Sequence, residues 1–276
     1  MLDLLAAHGD EAKPLAGGQS LVPMLALRLA RAEHLVDLNG VGEMASIEAT
    51  DTHVRIGAMT RQAAVAVDPA VAASVPLLAL ATPHIGHVQI RNRGTVGGSM
   101  VHADPAAEYP TVATALEAEI EVSGSGGGRT IASAEFFEGP LMTSLQPDEL
   151  VTAIRFPIWS GHVGFEFLEV ARRHGDFALV GVAVGVELGS STIERCRIAM
   201  LGVEGRPRRA VAAEAAVTGA SARDLDTVEV GRLALEDLRA THDIHASAEY
   251  RRLVGAHLVS EALISACRRA GERSGG

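Results

Sequence analysis

The chain has 276 residues, 47% hydrophobic and 21% charged, the balance of a globular protein long enough for two domains. A formal charge of −10 argues against nucleic acid or an anionic membrane as the main partner, so an anionic ligand has to be met by local donors. Two cysteines, Cys196 and Cys267, supply neither a disulfide framework nor the ligands of an iron–sulfur cluster.

Aromatic residues are only 3%, so the core has to be built from Ala, Val, Leu and Ile. Both cysteines read as small buried apolar residues or free thiols, which suits a reducing cytoplasm. No apolar run is long enough for a membrane span, and the start lacks the basic region of a signal peptide. The expectation is a cytoplasmic protein.

Leu2 to His8 reads as a short amphipathic helix stopped by Gly9. Lys13-Pro14-Leu15 leads into Ala16-Gly17-Gly18-Gln19-Ser20, where Ser20 is placed to cap a helix carrying PMLALRLAR. His34–Leu38 reads as a strand, and Ala45–Ala49 with Val54–Ile56 as a hairpin turning at Asp51-Thr52. Thr60 is placed to cap the helix TRQAAVAVD, which Pro69 stops; helical stretches follow from Pro76 and at His84–Ile90. Asp104 at N-cap and Pro105 at N1 predict the start of the helix PAAEYPTVATAL. Glu119–Val122, Arg129–Ile131 and Leu150–Phe156 read as strands, with a low-complexity tip at Gly124–Gly128.

Pro157 and Trp159-Ser160-Gly161 mark the expected boundary between domains 1–158 and 162–276. Beyond it come three long strand candidates, Gly164–Ala171, Ala178–Leu188 and Ile193–Val203, which predict an antiparallel meander. Helices follow at Arg209–Val217, Leu233–Leu238 and Ala248–Arg269, so the fold class is α+β.

The chemistry concentrates in Arg91–Tyr109, RNRGTVGGSMVHADPAAEY. Thr95 and Ser99 flank the pair Gly97-Gly98, and His102, Asp104 and Glu108 follow. Together with the earlier pair Gly17-Gly18, this pattern points to two loops closing on one ligand. Glycine lets peptide N–H groups approach a phosphate, and the hydroxyls of Ser20, Thr95 and Ser99 add donors. Neither pair is a G-x-G-x-x-G fingerprint or a P-loop, and a Gly-Gly pair alone is most often a turn. His84-x-x-His87 sits near one helical turn, but no carboxylate or cysteine completes a site locally, so no metal is expected.

With these residues in view the chain resembles the FAD-binding medium subunits of the molybdenum hydroxylases, the family of carbon monoxide dehydrogenase and xanthine dehydrogenase. The matching stretches are AGGQSL at Ala16–Leu21, LRLARAEHLVDLN at Leu27–Asn39 and IGAMTRQ at Ile56–Gln62. Further along they are IRNRGTVGGS at Ile90–Ser99, HADPAAEYP at His102–Pro110 and RRHGDFALVGVA at Arg172–Ala183.

The resemblance implies a two-lobed α+β FAD-binding domain, then a C-terminal domain of three antiparallel strands plus helices. It implies that Ala16, Gly17, Gly18, Gln19, Ser20 and Leu21, with Thr95, Val96, Gly97, Gly98 and Ser99, form the two pyrophosphate motifs. Ile85 and Leu150 match positions flanking the isoalloxazine or adenine, and His102 is placed as a donor near the flavin. Asp104 lies on the HADP element, Glu108 matches a contact to cofactor hydroxyls, and Arg172, Gly175 and Asp176 fall on an element close to the flavin. The family pattern opens with a further aromatic and proline-bearing strand. This chain starts at LDLLAAHGD, so either its start site lies upstream or the first lobe lacks an edge strand.

The function implied is electron transfer through non-covalent FAD, with no catalytic side chain on this subunit. Molybdopterin belongs to a large partner subunit and 2Fe-2S clusters to a small one, in a dimer of heterotrimers. A stand-alone FAD oxidase or reductase is the alternative. No second nucleotide fingerprint is visible, which favours an acceptor other than NAD.

Overall fold

The computed structural model describes residues 1–272. In the N-terminal half the strands Ile47–Ala49, His53–Gly57, Leu150–Pro157, Glu119–Gly124 and Gly127–Ala132 lie side by side, in that order, as one antiparallel sheet. Leu150–Pro157 is central, and its Val151, Ala153, Ile154 and Phe156 are buried. On the outer face Arg55 stands opposite Arg155 in register. Glu121 relieves that like-charge pair by accepting from Arg55 Nη2 at 2.8 Å, and Glu119 lies 3.0 Å from Arg155.

The first lobe is smaller. Strands Ala12–Leu15 and His34–Asp37 pair in parallel, with Ala12 opposite His34. A parallel pair needs a crossover, and here the first glycine loop and the short helix Leu21–Ala26 supply it. Arg28, at φ 60°, interrupts the expected PMLALRLAR helix soon after Ala26.

In the C-terminal half His162–Ala171, Ala178–Leu188 and Ile193–Leu201 form the expected meander. A two-residue strand, Arg208–Arg209, adds a fourth member. The central strand runs ALVGVAVGVEL with little polar alternation because both its faces are covered. Val180, Val182, Val184 and Val186 pack with Val259, Ala262, Leu263 and Ala266 of the long helix Ala248–Glu272. Ala183 of the same strand, with Ala199 and Leu201 of the next, joins the core of the N-terminal half instead. Contact between long helix and sheet depends on Gly164, where any Cβ would overlap the Ala266 carbonyl oxygen.

Several helix starts differ from expectation. Thr60 Oγ1 donates to the Ser46 carbonyl at 3.1 Å rather than capping, and the helix there is only Gln62–Val65. Asp68 caps the next helix, Pro69–Ser74, by accepting from the amides of Ala70 and Val71, so Pro69 opens a helix instead of ending one. Asp104 accepts from the Ala106 amide at 2.8 Å in a tight turn, and the helix begins later, at Glu108–Leu116. Thr227–Ala234 lies upstream of the expected Leu233–Leu238 helix. Cys196 is buried and Cys267 half-buried, both as free thiols whose pKa burial raises. No helix among the described residues is long and apolar enough to cross a membrane.

Candidate functional site

The first glycine loop leaves the parallel pair at Leu15 with its carbonyls engaged. Asn39 Nδ2 donates to the Ala16 carbonyl at 3.1 Å and Gln19 Nε2 to that of Gly17 at 3.2 Å. The carbonyls of Gly18 and Ser20 accept from the amides of Val22 and Met24, each at 3.1 Å. The amides of Gly17, Gly18, Gln19, Ser20 and Leu21 find no acceptor among the described residues. Five successive free N–H groups on a loop whose Gly18 has φ 74° make an anion-binding nest. Ser20 sits at the N-cap of the short helix without a side-chain cap bond, so its hydroxyl is also free to meet a ligand.

The second loop is built differently. Thr95 Oγ1 accepts from the Gly98 amide at 3.0 Å and caps the helix Val96–His102. The Val96 amide donates to the Thr60 carbonyl at 3.0 Å, that of Gly97 to Ala58 at 2.8 Å, and that of Ser99 to Thr95 at 3.1 Å. This first turn offers no free amide between Val96 and Ser99. Gly97 is a packing glycine, since a Cβ there would stand 2.5 Å from the Ala58 Cβ. Gly98 faces the other loop, with a Cβ position 3.8 Å from the Ala16 Cβ.

The loops touch. A Cβ on Gly17 would overlap the Arg93 carbonyl oxygen, so the first glycine of that pair seats one loop against the other. Arg61 ties them together, donating to Asn39 Oδ1 at 2.6 Å and to the Arg93 carbonyl.

Beside them opens a cleft of about 610 Å³. Every residue singled out above for ligand contact lines it except Val96, which is fully buried with its amide engaged, and Arg172, which stays outside on the surface. Ile85 and Leu150 contribute apolar wall, and the Gly175-Asp176-Phe177 turn reaches in from the C-terminal sheet. Gly175, at φ 85°, lies against the His87 ring with no room for a side chain. Asp176 pairs with Arg172 at 3.7 Å, an exposed contact of little energetic weight.

The cleft lining holds both a cation and a buried acid. Beside the nest stands Lys13, the chain's single lysine. At Glu108, burial above all, and then the Glu169 carboxylate, push the carboxyl up to about 8, with Asp104 adding to the effect. Near neutral pH Glu108 is therefore largely protonated and can donate a hydrogen bond. Gln62 also lines the cleft, buried with its Oε1 unpaired.

Residues 1–159 match the FAD binding domain in molybdopterin dehydrogenase. The chain belongs to that family. Residues 165–266 match the CO dehydrogenase flavoprotein C-terminal domain. The nicotine 6-hydroxylase medium subunit of Paenarthrobacter nicotinovorans is 39% identical over 96% of this chain and 92% of its own length. The glyceraldehyde dehydrogenase medium chain of Sulfolobus acidocaldarius is 38% identical over 89% and 87%. Among solved structures, carbon monoxide dehydrogenase from Hydrogenophaga pseudoflava, in a form lacking the Mo-pyranopterin moiety, superposes with a TM-score of 0.94 at 36% identity. That match covers 97% of this chain and 93% of the other. The protein is thus the medium, FAD-binding subunit of a multi-subunit molybdenum hydroxylase.

The cleft residues fit FAD. The five free amides and Lys13 suit a diphosphate, the unpaired Gln62 Oε1 awaits a donor, and Glu108 offers a proton to an acceptor. Sequence reasoning missed Lys13, Gln62 and Phe177. A lone lysine among 23 arginines was the one available signal, because its position sets it apart from an otherwise arginine-only cation set. Gln62 and Phe177 stood inside matched stretches, yet nothing in their spacing said that they face the cleft.

Proposed function

We propose that the chain is the electron-transfer subunit of its complex, taking electrons from the 2Fe-2S clusters of a small subunit and delivering them to an external acceptor. The observation that carries this reading is the cleft: an anion nest in the first lobe, lined also by a turn from the C-terminal sheet. FAD supplies the redox chemistry when bound. The protein's part is to hold it. Gly17–Leu21 and Lys13 take the diphosphate, Thr95–Ser99 gives a smooth floor at Gly98, and Glu108 donates to a polar acceptor of the cofactor.

The named relatives act on nicotine, glyceraldehyde and carbon monoxide, which share no recognition chemistry. Such unlike substrates support placing substrate choice on the molybdopterin-bearing large subunit. We further infer non-covalent FAD, a cytoplasmic location, a dimer of heterotrimers and an acceptor other than NAD.

The test is purification from the native host with flavin and metal analysis, followed by assay of the separated chain. The reading expects co-purification with a molybdenum subunit and an iron–sulfur subunit, flavin fully released by acid, and no substrate turnover by the chain alone. Turnover by the isolated chain points instead to a stand-alone oxidase.

A further inference from the structure

Outside the cleft, three side chains converge from three separate elements. His8 is the last residue of the helix Leu2–His8, Glu11 ends the 3-10 turn Gly9–Glu11, and His34 opens the strand His34–Asp37. Gly9, at φ 50°, turns the chain from helix into the 3-10 turn and folds His8 back over the strand ends. The parallel register then sets Ala12 opposite His34, and the Glu33 amide donates to the Glu11 carbonyl at 3.0 Å. Backbone geometry thus fixes the three residues beside one another.

One imidazole nitrogen from each histidine and one Glu11 carboxylate oxygen all lie within 4.8 Å of one another. The two rings are 3.8 Å apart between centroids and tilted by 32°. None of the three side chains has a hydrogen bond or ion pair to any other described residue, so their donor atoms are uncommitted. Nothing in the cleft chemistry uses them.

We propose that His8, Glu11 and His34 form a site for a borderline divalent transition-metal ion of the Zn²⁺ type. Two imidazoles with one carboxylate suit Zn²⁺, whereas Mg²⁺ and Ca²⁺ take oxygen ligands. Zn–N bonds of about 2.0–2.1 Å put tetrahedral ligand atoms roughly 3.4 Å apart. Glu11 and His34 are exposed and His8 is half-buried, so a small rotamer adjustment of the two exposed side chains reaches that spacing. The remaining coordination positions go to water or to a group from outside. The ion ties the end of the first helix to a parallel sheet of only two strands, which is marginal by itself. That sheet leads directly into the Gly17–Leu21 nest, so the metal steadies the lobe that presents the free amides.

The experiment uses the full chain, stripped with a chelator and titrated with Zn²⁺ alone, and with Mg²⁺ as the control ion. Calorimetry should give one saturable Zn²⁺ per chain with a raised Tm, and Mg²⁺ should give neither. His34→Ala and Glu11→Gln each weaken Zn²⁺ binding at least tenfold, and both positions are exposed, so the circular dichroism spectrum stays unchanged. Replacing the exposed His242 and His245 by Ala leaves Zn²⁺ binding as it was. Absence of saturable Zn²⁺ binding, or binding that survives both His34→Ala and Glu11→Gln, overturns the proposal. The readout needs neither flavin nor partner subunits, so it stands or falls separately from the electron-transfer reading.

Discussion

At Gly17–Leu21 five successive amides are free, whereas from Val96 to Ser99 every amide already has a protein acceptor. The two segments share a Gly-Gly pair and a nearby hydroxyl residue, so their sequences invite one role for both. The structure separates them. The first supplies donors for an anion. The second spends its capping threonine and its first-turn amides on holding itself to Ala58 and Thr60, and offers the ligand a surface without side chains at Gly98. A glycine pair therefore marks close backbone approach, and only the hydrogen-bond tally says whether the approaching partner is a ligand or the protein itself.

The harshest way to break this arrangement is Gly17→Val. The new side chain meets the Arg93 carbonyl, so the loops separate and the nest is lost with them. We expect no flavin retained after gel filtration and a stability loss of about 3 kcal/mol, the upper end for overpacking, by urea unfolding. Normal flavin content would show that the loops need not touch.

Glu108→Gln sharpens the contrast between the donor-rich nest and the acid in the same cleft. The folded chain holds the Glu108 proton up to about pH 8, while the unfolded chain releases it near the ordinary glutamate value of 4.5. A raised carboxyl pKa adds stability that is fully present below 4.5 and is lost as pH rises through 8. Glu169 and Asp104 are the acidic groups that hold the proton in place alongside burial. Wild type should lose on the order of a few kcal/mol across this window relative to Glu108→Gln. Denaturation curves at pH 5, 6.5 and 8 check it, and parallel trends for both proteins would refute it.

Thr95→Ala has the smallest expected effect. Removal of an N-cap acceptor costs about 1 kcal/mol of stability. If this loop is the floor proposed above, FAD affinity should fall by less than about threefold once folding is allowed for, corresponding to under 1 kcal/mol. A tenfold or larger loss of affinity at unchanged stability would move Thr95 into direct cofactor contact.

Much of the fold could be read from the chain. The strand Ala178–Leu188 announces itself by a long apolar run, because a sheet covered on both faces needs few polar positions, and the long helix Ala248–Glu272 starts at the expected residue. Helix starts were less legible. Asp104-Pro105 carries a strong local signal, but the Asp104 turn onto Ala106 uses the same acceptor that an N-cap would, and local spacing does not distinguish the two. In the cleft the glycine motifs and Glu108 were visible as motifs, while Gln62 became a wall residue only through folding against Gly94. The His8, Glu11 and His34 cluster was invisible for a related reason. Parallel pairing sets Ala12 beside His34, and sequence spacing does not encode that register.

The central claim is that the first loop's amides, and not those of the second, receive the cofactor diphosphate. Amide hydrogen exchange of the full chain with and without FAD tests it most directly. Protection should rise at Gly17–Leu21 on FAD addition, while Val96–Ser99, already hydrogen-bonded, should change little. New protection confined to Val96–Ser99, with Gly17–Leu21 exchanging as before, would contradict the account.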